Sequence, residues 1–171
     1  MKHKFFILLI LPILLFLFTG CLGDSKNQAS SSTEMKPLRI LYFGSNKNII
    51  ASLEDAGFQV VQNEDSNRLK GIQLVLIDGA EAVNIKTDIL VMFASSGVDL
   101  FFLDLKSTKF LQETFFNNSS YETAETNDKT QTLHRITKEK DGMFNLLTIG
   151  WQPEGNYYSS IADQLHKYHN Y

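Results

Sequence analysis

Between residues 38 and 105, short apolar runs recur at the spacing of a repeated strand–helix unit: Leu38–Phe43, Phe58–Gln62, Ile72–Ile77, Ile89–Ala94 and Leu100–Leu105. Each is strand-sized, and Ile72–Ile77 is apolar at every position but Gln73, the mark of a strand covered on both faces. Between the first two runs Ile49, Ile50, Leu53 and Ala56 share one helical face, and Gly57 follows as a stop. Ser66–Lys70 reads as a short helical turn, and Ser107 as the cap of a helix whose stripe is Phe110, Leu111, Thr114 and Phe115. Strands alternating with helices predict an α/β domain built on a mainly parallel, doubly wound sheet with helices on both faces, three layers in all.

The rest of the chain adds a different pattern. Asn117 to Thr132 is a long polar stretch with a single aromatic, Tyr121, and predicts a mobile loop. Beyond it, Leu133–Lys138 and Met143–Trp151 flank Glu139-Lys140-Asp141-Gly142, whose Asp-Gly pair signals a hairpin. Ser160-Ile161-Ala162-Asp163 is close to a capping box and opens a last helix with Ile161, Leu165 and Tyr168 on one face.

The N-terminus reads separately. Lys2 and Lys4 precede a run from Phe5 to Phe18 that is apolar except at Pro12, the layout of a secretory signal. As a helix those residues would span roughly 21 Å, short of the ~30 Å hydrocarbon core. Directly after them stands Phe18-Thr19-Gly20-Cys21, with the chain's one cysteine. This segment resembles the lipobox of bacterial lipoproteins, with Phe18 where leucine is usual. The resemblance implies a signal peptide over residues 1–20, cleavage after Gly20, and lipidation of Cys21, which would hold the protein on the outer face of the cell membrane by its acyl chains.

Residues 21–36 then form a serine-rich tether with little to bury, and a single domain occupies 37–171. Loss of Lys2 and Lys4 moves the formal charge from −3 to −5. Such a domain lacks the basic patch that nucleic acid requires. One cysteine also rules out an internal disulfide.

Ligands of open parallel sheets bind beyond the carboxyl ends of the strands. With Ile89–Ala94 as the fourth strand, those positions are Gly44, Ser45 and Asn46 after the first, Asp78 with Gly79 after the third, and Ser95 and Ser96 after the fourth. The same residue types are also what loops use for turning. The segments RILYFGSNKNIIASLEDAGFQVV, LVLIDG and ILVMFASSG are similar in pattern to receiver domains of response regulators. That likeness implies a flavodoxin-like fold, with Asp78 at the phospho-acceptor position, Ser95 or Ala94 at the hydroxyl position, and Lys106 as the one candidate for the family's lysine. Gly44 and Ser45 stand where the family needs its acidic, Mg²⁺-binding pair, so phosphotransfer is excluded.

Other chemistry is weaker. The GSNKN loop fits neither a phosphate-binding loop nor a dinucleotide fingerprint, so no cofactor is implied. Ser95 or Ser96 with a later histidine (His134, His166 or His169) and Asp78 would supply the residues of a degenerate serine hydrolase, without the G-x-S-x-G turn. His166 and His169, near Asp163, lack a further metal ligand and read as a solvated helical face. Trp151, Tyr157, Tyr158, Tyr168 and Tyr171 suit either packing of the last helix or a stacking surface for a partner in an envelope complex. The expectation is a lipid-anchored, non-catalytic binding or accessory module that engages a small ligand or a protein partner through its strand-end rim.

Overall fold

A computed structural model describes residues 36–62, 70–117 and 130–169. The signal-like run, Cys21, the Ser66–Lys70 turn up to residue 69, most of the expected polar loop and Tyr171 lie outside them. In chain order the elements are β1 (Arg39–Phe43), α1 (Lys47–Asp55), β2 (Gln59–Gln62), β3 (Leu74–Asp78), a 3₁₀ turn (Ala82–Asn84), α2 (Thr87–Ser95), β4 (Asp99–Leu103), α3 (Lys109–Phe115), β5 (Gln131–Lys138), β6 (Phe144–Trp151) and α4 (Tyr157–His169). The strands form one sheet in the order β2-β1-β3-β4-β5-β6. The first four are mutually parallel; β5 runs antiparallel to β4, and β6 to β5. Pro37–Tyr171 is one compact unit.

Alternation along the strands divides the core in two. Ile40, Tyr42, Leu74, Leu76, Phe101, Leu103, Leu133 and Ile149 face Ile49 and Leu53 of α1 and Ile161, Ala162 and Leu165 of α4. On the other face Leu41, Val75, Ile77, Leu100, Phe102 and Ile136 pack against Leu90, Phe93 and Ala94 of α2 and Leu111 and Phe115 of α3. The near-continuous apolar runs of β3 and β4 follow from this double cover.

One expected strand is a helix. Ile89–Ala94 lies within α2, where Leu90, Phe93 and Ala94 are buried one turn apart and Met92 is 51% exposed on the opposite side. A short apolar run does not distinguish strand from helix by composition. The decisive signals lie at its ends: Asp88 sits in the first turn, and Gly97, at φ +80°, closes a Schellman cap in which the Gly97 and Val98 N–H groups donate to the Ala94 and Phe93 carbonyls. Gly57 ends α1 in the same way, its N–H and that of Phe58 donating to Glu54 and Leu53. The parallel part of the sheet therefore has four strands, and Leu100–Leu105 supplies the fourth as β4.

The C-terminal hairpin forms as the pattern predicts, whereas the last helix opens one turn before Ser160, at Tyr157, with Asn156 Oδ1 accepting the Tyr158 N–H at 3.0 Å. Lys138 pairs with Phe144 across a turn in which Gly142 has φ +89° and Asp141 Oδ1 accepts the Met143 N–H at 2.9 Å. Gln131 and Thr132, expected in the loop, are already in β5. No helix among the described residues is long and apolar enough to cross a membrane.

Candidate functional site

Because β1, β3 and β4 are parallel, their carboxyl ends meet at one edge of the sheet. After β1 the chain turns through Gly44, Ser45 and Asn46, and Asn46 Oδ1 accepts the Asn48 N–H at 3.0 Å as the cap of α1. A Cβ on Gly44 would lie 2.3 Å from the Tyr42 ring, so the turn must be glycine for that ring to fold over it. Asp78 ends β3 and accepts the Ala80 N–H at 3.1 Å, shaping the next turn. Gly79 then runs against the end of β4, its N–H donating to the Leu103 carbonyl at 2.7 Å.

The structure thus brings Gly44, Ser45, Asn46 and Asp78 to a common rim. Tyr42 marks their proximity: 1% exposed, it has its phenol pKa pushed up to about 12, first by burial and then by the charges of Asp78 and Glu81, while the Asn46 backbone N–H acts in the opposite sense.

Asp104 completes this edge, and the sequence marked it only as a break in an apolar run. It follows β4 with φ +51°, and its Oδ1 accepts the Thr132 N–H at 3.0 Å while its own N–H donates to the Thr132 carbonyl at 2.8 Å. Its Oδ2 accepts the Tyr157 hydroxyl at 2.6 Å, and with the Gln131 amide turned over, the orientation that satisfies both of its ends, its nitrogen donates to both carboxylate oxygens at 2.9 and 2.7 Å. One carboxylate joins the end of β4, the start of β5 and the first turn of α4. Burial, then the bond to Asp104, hold the Tyr157 phenol far above its ordinary pKa, with the charges of Asp104 and Asp78 in the same direction.

Between the β3–α2 and β4–α3 turns opens a groove of about 690 Å³ lined by Asp78, Asp104, Val83, Lys106, Lys109 and Glu113, among others. Val83, 70% exposed, and Phe110 give it apolar wall, and both signs of charge face it. Lys109 is held 3.7 Å from Glu113 along α3. Mixed charge around an apolar floor suits recognition of a zwitterionic or amphipathic group.

Ser95 and Ser96 are not on this rim. They end α2 just before β4 begins, and Asp99 pairs with Leu74 at the amino end of β3, whereas Asp78 pairs with Leu103 at the other. The sequence placed them at the rim because it read α2 as a strand. Ser96 Oγ donates to the Met92 carbonyl at 2.8 Å. The position after β4, where a receiver-like arrangement would carry its hydroxyl, holds Asp104. Lys106 follows β4, not a fifth parallel strand.

The histidines have other roles. His134 is 1% exposed in β5, sharing a 3.0 Å hydrogen bond with Thr148 Oγ1. His166 stacks on Phe58, with ring centres 4.2 Å apart, and reaches the Ala56 carbonyl at 3.1 Å. His169 lies 3.2 Å from Asp99, which Arg135 contacts at 2.8 Å. The expected solvated face of α4 is instead partly buried and docks that helix on α1 and β4. Among the described residues no group of three or more His, Cys, Asp or Glu is placed to hold a metal. Tyr157, Tyr158 and Tyr168 pack at the margin of the α1/α4 core, and Trp151 Nε1 donates to Ser160 Oγ at 3.1 Å.

A scan of known protein families finds no match to this chain, and neither does a search of curated proteins.

Proposed function

We propose that this protein is an exported lipoprotein, anchored through an acylated Cys21, whose flavodoxin-like domain acts as a binding module and not as a catalyst. The parallel core order β2-β1-β3-β4 supports the flavodoxin-like assignment, with the antiparallel β5–β6 pair replacing further parallel strands. The observation that carries the binding role is the charged groove at the carboxyl ends of β3 and β4, which Asp78, Asp104, Lys106 and Lys109 line together with Val83 and Phe110. Its bound species is a small ligand or a segment of an envelope protein carrying both charge signs. The hydrolase reading loses support because Ser95 and Ser96 sit at the edge of the sheet opposite Asp78.

Crosslinking in intact cells, with Cys21 and the tether preserved, tests the role of the groove. Wild type is expected to yield a defined adduct that Lys106→Glu combined with Lys109→Glu abolishes, at unchanged protein level and melting temperature. An adduct that survives the double substitution would place recognition elsewhere.

A further inference from the structure

The two edges of the sheet differ. β2 is four residues long, whereas β6 runs for eight, Phe-Asn-Leu-Leu-Thr-Ile-Gly-Trp, without a charge or a proline. Natural edge strands of that length carry lysine, proline or a bulge to discourage pairing, and β6 carries none of these.

Which backbone groups of β6 face outward follows from two hydrogen bonds. Asp104 N–H donates to the Thr132 carbonyl, so even-numbered residues of β5 bond toward β4. Glu139 N–H donates to the Met143 carbonyl, so odd-numbered residues of β5 bond toward β6. By the pairing register, Asn145, Leu147, Ile149 and Trp151 spend their backbone groups on β5. Phe144, Leu146, Thr148 and Gly150 point theirs away from the sheet.

We propose that β6 pairs with β6 of a second copy of this chain, antiparallel about a two-fold axis at Leu147, joining the two sheets edge to edge. This register alone engages all four outward-facing residues, with Phe144 opposite Gly150 and Leu146 opposite Thr148, for about eight backbone hydrogen bonds. The strand is its own complement there. Gly150 offers no side chain to obstruct Phe144, the absence of charge avoids like-charge repulsion, and Leu147, 41% exposed, meets its counterpart on the axis. A self-complementary patch is what a two-fold interface demands, and this is why a second copy is the occupant chosen over an unrelated strand.

The register makes the test specific. Leu147 faces Leu147 in a non-hydrogen-bonded pair, with Cα atoms about 4.5 Å apart, within disulfide range. In the full-length chain carrying Cys21→Ser, so that no other thiol is present, Leu147→Cys is expected to form a reducible dimer under mild oxidation. Asn145→Cys, which faces Ile149 in this register, is expected to stay monomeric. Equal crosslinking of the two, or none at Leu147, overturns the proposal. A second measurement uses no cysteine: Leu146 and Thr148 amides should exchange slowly at high protein concentration and fast on dilution. Concentration-independent protection would mean that another part of the same chain covers the edge, and fast exchange throughout would mean an open edge; either result overturns it.

Discussion

Asp104 and His134 show how single side chains set the properties of this domain. Asp104 has three donors around one carboxylate, from Thr132, Tyr157 and Gln131, and so serves as a strut of the rim while one side of it lines the groove. His134 is the opposite case, a titratable ring kept neutral. Burial lowers its pKa below the ordinary histidine value, and the Asp104 charge offsets this only in part. The sign of the linkage follows: above about pH 6.5 the ring is neutral in both folded and unfolded chains, and below it the unfolded chain takes up a proton before the folded one does. Stability should therefore fall as pH drops below about 6.5, with a slope from this group of at most about 1.4 kcal/mol per pH unit. Urea midpoints of wild type and His134→Gln between pH 7.5 and 5 check this: the two curves should diverge as the pH falls, and parallel curves would contradict it.

At the scale of elements, the decisive contacts are those where backbone meets backbone. Gly79 is the sharpest of them: a Cβ there would lie 2.6 Å from the Leu103 carbonyl oxygen and 2.7 Å from that of Asp104. Neither atom is the end of a flexible side chain, so Gly79→Ala must push the β3–α2 turn away from β4. The expected cost is about 2 kcal/mol or more, read as a lowered denaturant midpoint with unchanged m-value; an unshifted midpoint would show that the crossing can relax. Nothing in the run LVLIDG announces this, because Gly79 is constrained by a strand more than twenty residues later. The same distinction explains what was legible in the sequence. β1, α1, β2, the hairpin and α4 were readable because their signals are local: periodicity, Gly57 as a stop, Asp141-Gly142 as a turn. α2 was not, since its apolar run fits a strand equally well and the signals that decide, Asp88 in the first turn and the Gly97 cap, lie at its ends. That one misreading carried Ser95 and Ser96 to the wrong edge of the sheet and hid Asp104, whereas Gly44, Ser45, Asn46 and Asp78 lie at the carboxyl ends of β1 and β3. Asp104 did leave a trace, as the lone acid interrupting Leu100–Leu105.

At the scale of the whole molecule, the proposed anchor and the rim are tested separately. Among the described residues, both apolar clusters are built from residues between Leu38 and Tyr168. The proposed address is the N-terminal segment, where a diacylated cysteine would supply membrane affinity at about 0.8 kcal/mol per buried methylene without any spanning helix. Cys21→Ala tests this directly because the lipid and the signal run make opposite predictions. If acylation at Cys21 is the anchor, the substituted chain should shift from the membrane to the soluble exported fraction, or accumulate as an unprocessed precursor that incorporates no labelled fatty acid. Its melting temperature, measured on the exported form, should equal that of wild type, because no core residue is altered. If Phe5–Phe18 instead remains as an uncleaved anchor, the substituted chain will stay on the membrane at the same apparent mass as wild type, and wild type will carry no label either. Fatty-acid labelling and apparent mass, read together, separate an acylated cysteine from a hydrophobic segment that happens to precede one.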